Sequence, residues 1–168
     1  MHEDDYGIPN NMFGPVPDVF FATVGRVVMV ASILEVRLLD LLTEFDRAPQ
    51  DKHAGKSASE LVKGCCAALV RYDTLFAQPA GQTLEGARDV LRERNAVVHS
   101  VWPNPRAHGA FGWRPVREKR GDPPDPTRPF ESITLDARQL RDLISRSAAL
   151  VREVDRLRER APAHRLAT

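Results

Sequence analysis

From Asp18 to about Phe45 the chain repeats apolar residues at helical spacing, and this repeat limits the fold more than any other feature. Val24, Val27, Val28, Ala31, Leu34, Leu38, Leu41 and Phe45 form one stripe, and Val28, Ala31, Leu39 and Leu42 form a second beside it. A helix with so broad an apolar side must pack against other helices or a sheet. Glu35 sits in the gap of the second stripe, where a carboxylate is costly unless paired. Either it has a cationic partner, or it lies at the stripe's edge in solvent.

Two further segments repeat the pattern. Ser57 or Ser59 caps a second helix through about Phe76, with Leu61, Val62, Cys65, Ala68, Leu69, Tyr72 and Phe76 inward. Pro79 and Gly81 read as its end, and Thr83 as the cap of a third helix. That third stripe runs Ala87, Val90, Leu91, Arg94, Val97, Val98 and Val101, so Arg94 holds a core-facing position just as Glu35 does. Pro103 stops the third helix. Thr134 then caps a last helix from Leu135 to about Arg160, with Leu140, Leu143, Ile144, Ser147, Leu150, Val151, Val154 and Leu157 inward.

The expected fold is therefore all-α, a four-helix up-and-down bundle over residues 18–160. Residues 1–17, with three prolines, form an extended lead-in, and 161–168 a disordered tail beginning at Pro162. Between the third and fourth helices lies a long Pro-rich insert, 103–133. Within it Ala110 to Val116 reads as a strand turning near Arg120-Gly121, which makes a short hairpin.

The chain is 168 residues with net charge +1, so any nucleic-acid binding must come from local clustering. Its 20 Arg against 4 Lys either favours phosphate recognition or reflects a GC-rich genome. The arginine-crowded outer face of the last helix is either a binding face or simply solvated. Adjacent Cys65 and Cys66 cannot bridge without strain and offer no metal knuckle. His53 and His164 have no evident companions, no metal cluster stands out, and no cofactor is expected. The start His2-Glu3-Asp4-Asp5 is the reverse of a signal peptide's. The run Val27 to Leu42 is broken by Ser32, Glu35, Arg37 and Asp40, which makes it a core helix rather than a membrane span. The expected setting is the cytoplasm, with no membrane partner.

The chemistry concentrates in Leu91-Arg92-Glu93-Arg94-Asn95-Ala96-Val97-Val98-His99-Ser100-Val101-Trp102. A neutral histidine can accept the ribose 2′-OH proton, and as imidazolium can donate to the departing 5′-oxygen. An arginine can stabilise charge on phosphate oxygens, and a polar neighbour can orient either group. Asn95 and His99 share a face as i, i+4 neighbours. Arg94 and His99 lie roughly 140° apart on a straight helix, too far round to form one centre. Either the helix end turns near Pro103, or a two-fold dimer brings two such segments into one cleft. Trp102, Arg106, Trp113, Arg114, Arg117 and Arg120 at and beyond this end could stack on unpaired bases and hold phosphates. Equally, the aromatics could cover the bundle's end while the basic residues are solvated.

Arg94-Asn95-Ala96-Val97-Val98-His99-Ser100-Val101-Trp102 resembles the signature of the HEPN superfamily: an arginine, commonly a polar residue, a few residues and a histidine. Ser32 to Leu39 is similar to the leading helix of several HEPN groups, in which a glutamate faces the motif arginine. The pattern-level likeness spans roughly residues 18–160, and about nine residues carry the motif. The resemblance implies a helical bundle that dimerises with its two motifs facing each other in a shared cleft. It implies a metal-independent endoribonuclease of toxin–antitoxin or antiphage systems, with a possible cognate antitoxin as a further partner. Arg94 and His99 would be catalytic, Asn95 supporting, and Glu35 the orienting partner of Arg94. Other members of the family are inactive and serve as dimerisation, nucleotide-binding or regulatory modules. Outside the family, Arg94 and Glu35 would be a plain structural ion pair.

Overall fold

The computed structural model describes residues 7, 9, 16–103, 105–106, 109–115 and 130–166. Most of the lead-in 1–17, the expected turn at Arg120-Gly121, and the candidate residues Arg117 and Arg120 lie outside them. The described chain is mostly helical, with four α-helices and one two-stranded sheet. The helices are α1 (Asp18–Asp46), α2 (Ala58–Ala68), α3 (Thr74–Val98) and α4 (Ala137–Arg160); the strands are β1 (Gly109–Pro115) and β2 (Phe130–Asp136). Chain contacts divide it into two compact units, residues 1–26 with 95–142 and residues 27–94 with 143–168.

In the unit of 27–94 and 143–168 the core forms where the apolar stripes coincide. Val27, Ala31, Leu34, Leu38, Leu41 and Phe45 of α1 are buried, as are Ala87, Val90 and Leu91 of α3 and Leu143, Val154 and Leu157 of α4. Ser147 is buried among them, and its hydroxyl donates to the Leu143 carbonyl at 2.7 Å. Phe45, Tyr72 and Phe76 close one end, with ring centroids 4.9–6.0 Å apart. The run Val27 to Leu42 is core on one side only. Val28, Met29, Ile33 and Val36 face outward and are exposed. By length and composition α1 is a helix that could cross a membrane.

The start of α2 falls where expected, and the two boundaries after it do not. Ser57 is the α2 cap, in a full capping box with Glu60. This helix ends at Ala68 and passes through a 3-10 turn, Leu69–Arg71. α3 then starts at Thr74, not after Thr83, because Asp73 accepts from the Phe76 N–H at 2.9 Å and caps it. Pro79 thus lies inside α3. The bond it removes would have gone to the Leu75 carbonyl, and Leu75 and Pro79 are both exposed, where water can replace it.

In the unit of 1–26 and 95–142, β1 and β2 pair antiparallel, with Trp113 opposite Ser132 and Phe111 opposite Thr134. This sheet stands where a short hairpin was expected in the insert: β1 covers the expected strand from Ala110 as far as Pro115, and β2 runs past the insert's expected end at 133 to Asp136. Thr134 is not a helix cap but lies within β2. The α4 cap is Asp136, whose carboxylate accepts from the Gln139 N–H at 2.7 Å while Gln139 accepts from the Asp136 N–H at 2.7 Å. On the other edge of β1, Val101 and Trp113 exchange both backbone hydrogen bonds, at 2.9 and 3.2 Å.

The expected disordered tail is corrected over its first six residues. Ala161–His164 is a 3-10 helix with Ala161 fully buried. His164 stacks on Phe76 at 5.6 Å and contacts Asp73 at 3.0 Å, and the Leu166 N–H donates to the Arg71 carbonyl at 2.9 Å. A polar segment after Pro162 is ordered here because an aromatic surface and orphan backbone groups await it.

Candidate functional site

Arg94 occupies the position its stripe predicts, one turn beyond the buried Val90 and Leu91. Its Nη2 makes an ion pair with Glu35 Oε1 of α1. The Arg94 side chain is 18% exposed and that of Glu35 32%, so the pair is largely withdrawn from water. Burial draws the Arg94 pKa down from its ordinary value, yet a guanidinium stays cationic throughout the working pH range. The contact explains why opposite charges interrupt two apolar stripes: a carboxylate or a guanidinium alone at this depth would be uncompensated. Arg94 Nε is buried and has no hydrogen-bond acceptor among the described residues.

Asn95 and His99 belong to the other unit and are described there. Both are exposed. The His99 N–H still donates to the Asn95 carbonyl at 3.0 Å, continuing the helical pattern one residue past Val98. The helix then yields to extended chain at Val101, where Trp113 supplies backbone partners, two residues before Pro103. The His99 imidazole has no hydrogen-bonding or ionic partner among the described residues. Among the described residues no second side chain orients it, as one usually does for a catalytic histidine.

Of the candidates for base and phosphate contact, Trp102 is engaged within the chain. Its indole N–H donates to the Val97 carbonyl at 2.8 Å and its ring meets Phe20 edge-on at 6.1 Å. A Cβ at Gly112 would lie 2.6 Å from Trp102 Cε3, so glycine there makes room for the ring. Trp113 and Phe111 project from the opposite face of β1. Both are exposed and stand edge to face at 6.3 Å. Arg114 pairs with Glu131 directly across the sheet, which offsets its charge. Arg106 is exposed. It borders, with Arg141, a small cleft also lined by Phe20 and Leu140.

Sequence reasoning missed the partners of two histidines. His53 is buried, with Nε2 3.2 Å from Asp46 Oδ2 and Nδ1 2.9 Å from Lys56 Nζ. An ammonium at Nδ1 must donate, which places the imidazole proton on Nε2, toward Asp46. The Nε2 contact with Asp46 is close but poorly aligned as a hydrogen bond. Arg71 also holds Asp46, at 2.6 Å, and the Asp46 pKa is lowered chiefly by this hydrogen bond. His164 finds Asp73 91 residues away. Neither pairing leaves a periodic signal. The arginines of α4 are in part paired: Arg146 with Glu93, Arg156 with Glu153 and Arg158 with Asp40. Cys65 is buried with its thiol pushed up to about 12 by desolvation, which makes it an inert core residue. No family model, no curated protein and no solved structure matches the chain.

Proposed function

We propose that this chain is a metal-independent endoribonuclease of HEPN type, acting as a homodimer. Its four helices would form the up-and-down bundle of that class, with β1 and β2 as an insert. The observation that carries the reading is the ion pair of Glu35 with Arg94. A motif arginine meets a glutamate on the leading helix, as in several groups of the family it resembles, and three of the five guanidinium N–H donors are on nitrogens other than Nη2.

In the reaction, neutral His99 accepts the proton of a ribose 2′-OH, and the 2′-oxygen attacks the adjacent phosphorus. The P–O5′ bond breaks, and the 5′-oxygen leaves with a proton from an imidazolium. A 2′,3′-cyclic phosphate and a 5′-OH end result. Arg94 stabilises charge on the nonbridging oxygens, Asn95 supports, and Glu35 keeps Arg94 in place. Because the motif residues diverge around one helix, the cleft draws on both protomers. Toxin–antitoxin or antiphage defence in the cytoplasm, with a cognate antitoxin, is the setting this activity suits. Incubating purified chain with single-stranded and transfer RNA tests it. Absence of cleavage, or a His99→Ala variant as active as wild type, would falsify the reading.

A second reading is favoured because His99 has no hydrogen-bonding or ionic side-chain partner among the described residues. In it the chain is an inactive HEPN-like module for dimerisation, nucleotide binding or regulation, and the Glu35–Arg94 pair is structural. That reading expects oligomers without RNA turnover, and an Arg94→Ala effect on stability alone.

A further inference from the structure

A cleft of about 160 Å³ opens where the start of α1, the start of α4 and the backbone pairing of Arg106 with Gly109 come together. Every residue that lines it belongs to the unit of 1–26 and 95–142. Its apolar lining includes Phe20 and Leu140, both buried, with Ala137 beside them. The Thr23 hydroxyl has its proton committed to the Val19 carbonyl, at 2.6 Å. Arg106 and Arg141 complete the lining, and both are exposed. Among the described residues neither guanidinium has a hydrogen-bonding or ionic partner, and no carboxylate lines the cleft. By contrast Arg37, Arg71, Arg114 and Arg158 each meet a carboxylate. Two like charges beside one hollow repel, and no described side chain offsets them. Ala137 is the first residue of α4, so the positive end of that helix's dipole also borders the cleft. The Asp136 carboxylate nearby is engaged with the Gln139 N–H at 2.7 Å.

We infer that this cleft binds a small aromatic anion, a single ring bearing a carboxylate or a phosphate. An apolar hollow with a few convergent polar groups is the usual form of a small-molecule site. An apolar cavity of roughly 150 Å³ takes one benzene ring. The ring would lie against Phe20 and Leu140, and its anionic group would meet Arg106 and Arg141 at the mouth. A guanidinium matches the paired oxygens of either group with two parallel hydrogen bonds. A flexible acyl chain suits the hollow less well than a rigid ring, because ordering it costs more conformational freedom. A nucleic-acid strand also suits it less well. Tracking a backbone takes an extended basic groove, whereas two arginines around one hollow match a single anion. The inference stands apart from the proposed function, since none of Glu35, Arg94, Asn95 and His99 lines the cleft.

Titration of the isotopically labelled full chain with benzoate and with phenyl phosphate, followed through its amide resonances, tests it. The amides of Phe20, Thr23, Gly109 and Leu140 should shift saturably with one probe or both, and the tighter probe identifies the anionic group. Arg106→Ala and Arg141→Ala should each weaken that probe's binding by roughly ten-fold. Both side chains are exposed and unpaired among the described residues, so the helical circular dichroism of the variants should be unchanged. Benzamide keeps the ring without the charge, and acetate keeps the charge without the ring. Each should bind at least about ten-fold more weakly than the tighter probe. The inference is overturned by the absence of saturable shifts at those amides, by unchanged affinity in either arginine variant, or by benzamide or acetate binding as well as the tighter probe. It is also overturned if an oligouridylate moves the same amides while benzoate and phenyl phosphate do not, because the arginines then hold a nucleic-acid backbone.

Discussion

Glu35 of α1 and Arg94 of α3 meet as opposite charges where both helices otherwise turn apolar side chains inward. Removing one partner strands the other. Glu35→Ala is expected to lower unfolding free energy by about 2 kcal/mol, below the value for fully buried pairs because both groups keep some solvent. Replacing both, as Glu35→Leu with Arg94→Met, should recover most of that loss. Urea denaturation of the two singles and the double measures the coupling.

His99 is exposed, and no hydrogen bond or ion pair holds its ring among the described residues. His99→Ala should therefore change stability by no more than about 0.5 kcal/mol. Under the proposed function it should slow RNA cleavage by roughly 10²–10⁴-fold. A melting curve and a cleavage time course on one preparation check both halves.

Asp46 titrates below its ordinary carboxylate value of 3.8 because Arg71 hydrogen-bonds it. A group whose folded pKa is depressed stabilises the fold fully above its unfolded pKa. That contribution fades as pH falls through the folded value. The thermal midpoint should hold from neutral pH to about pH 5 and drop below about pH 4. In Asp46→Asn the midpoint at neutral pH should be lower and the acid drop shallower.

Gly112 admits the Trp102 ring and the Val101 carbonyl, each 2.6 Å from where a Cβ would stand. Gly112→Ala should cost roughly 1–3 kcal/mol by overpacking. Hydrogen exchange at Val101 and Trp113, whose amides bond to each other's carbonyls, should accelerate with it.

Residues 161–166 dock by Ala161, by the His164 ring on Phe76, and by a cation–π contact of Arg165 with Tyr72. A chain ending at Arg160 exposes Phe76 and Tyr72. It should unfold at lower urea, by about 2 kcal/mol or more, and limited proteolysis of the intact chain should spare this segment.

The helices were legible because burial imposes a period: Val27, Ala31, Leu34 and Leu38 recur at helical spacing and are all buried. The stripes placed Glu35 and Arg94 as charges at apolar positions, but left open whether Glu35 was paired or solvated; that the two meet was implied by the resemblance and not by the period. Boundaries were less legible. Pro79 reads as a stop, but a cap at Asp73 outweighs one missing hydrogen bond at an exposed site. β2 was hidden because Thr134 offers a cap signal and only its pairing with Phe111 identifies it as strand. The partners of His53 and His164 depend on distant or irregular chain, and no periodicity carries that information.

The two tryptophans, Trp102 and Trp113, lie together in the unit of 1–26 and 95–142, and the other unit has none. Indole emission therefore follows the segment that bears His99, and far-ultraviolet dichroism follows all four helices. A single cooperative transition would superimpose the two signals during unfolding. If the strand-bearing unit loosens first, the emission curve will run ahead, and the protein's own fluorophores will time the release of its histidine segment.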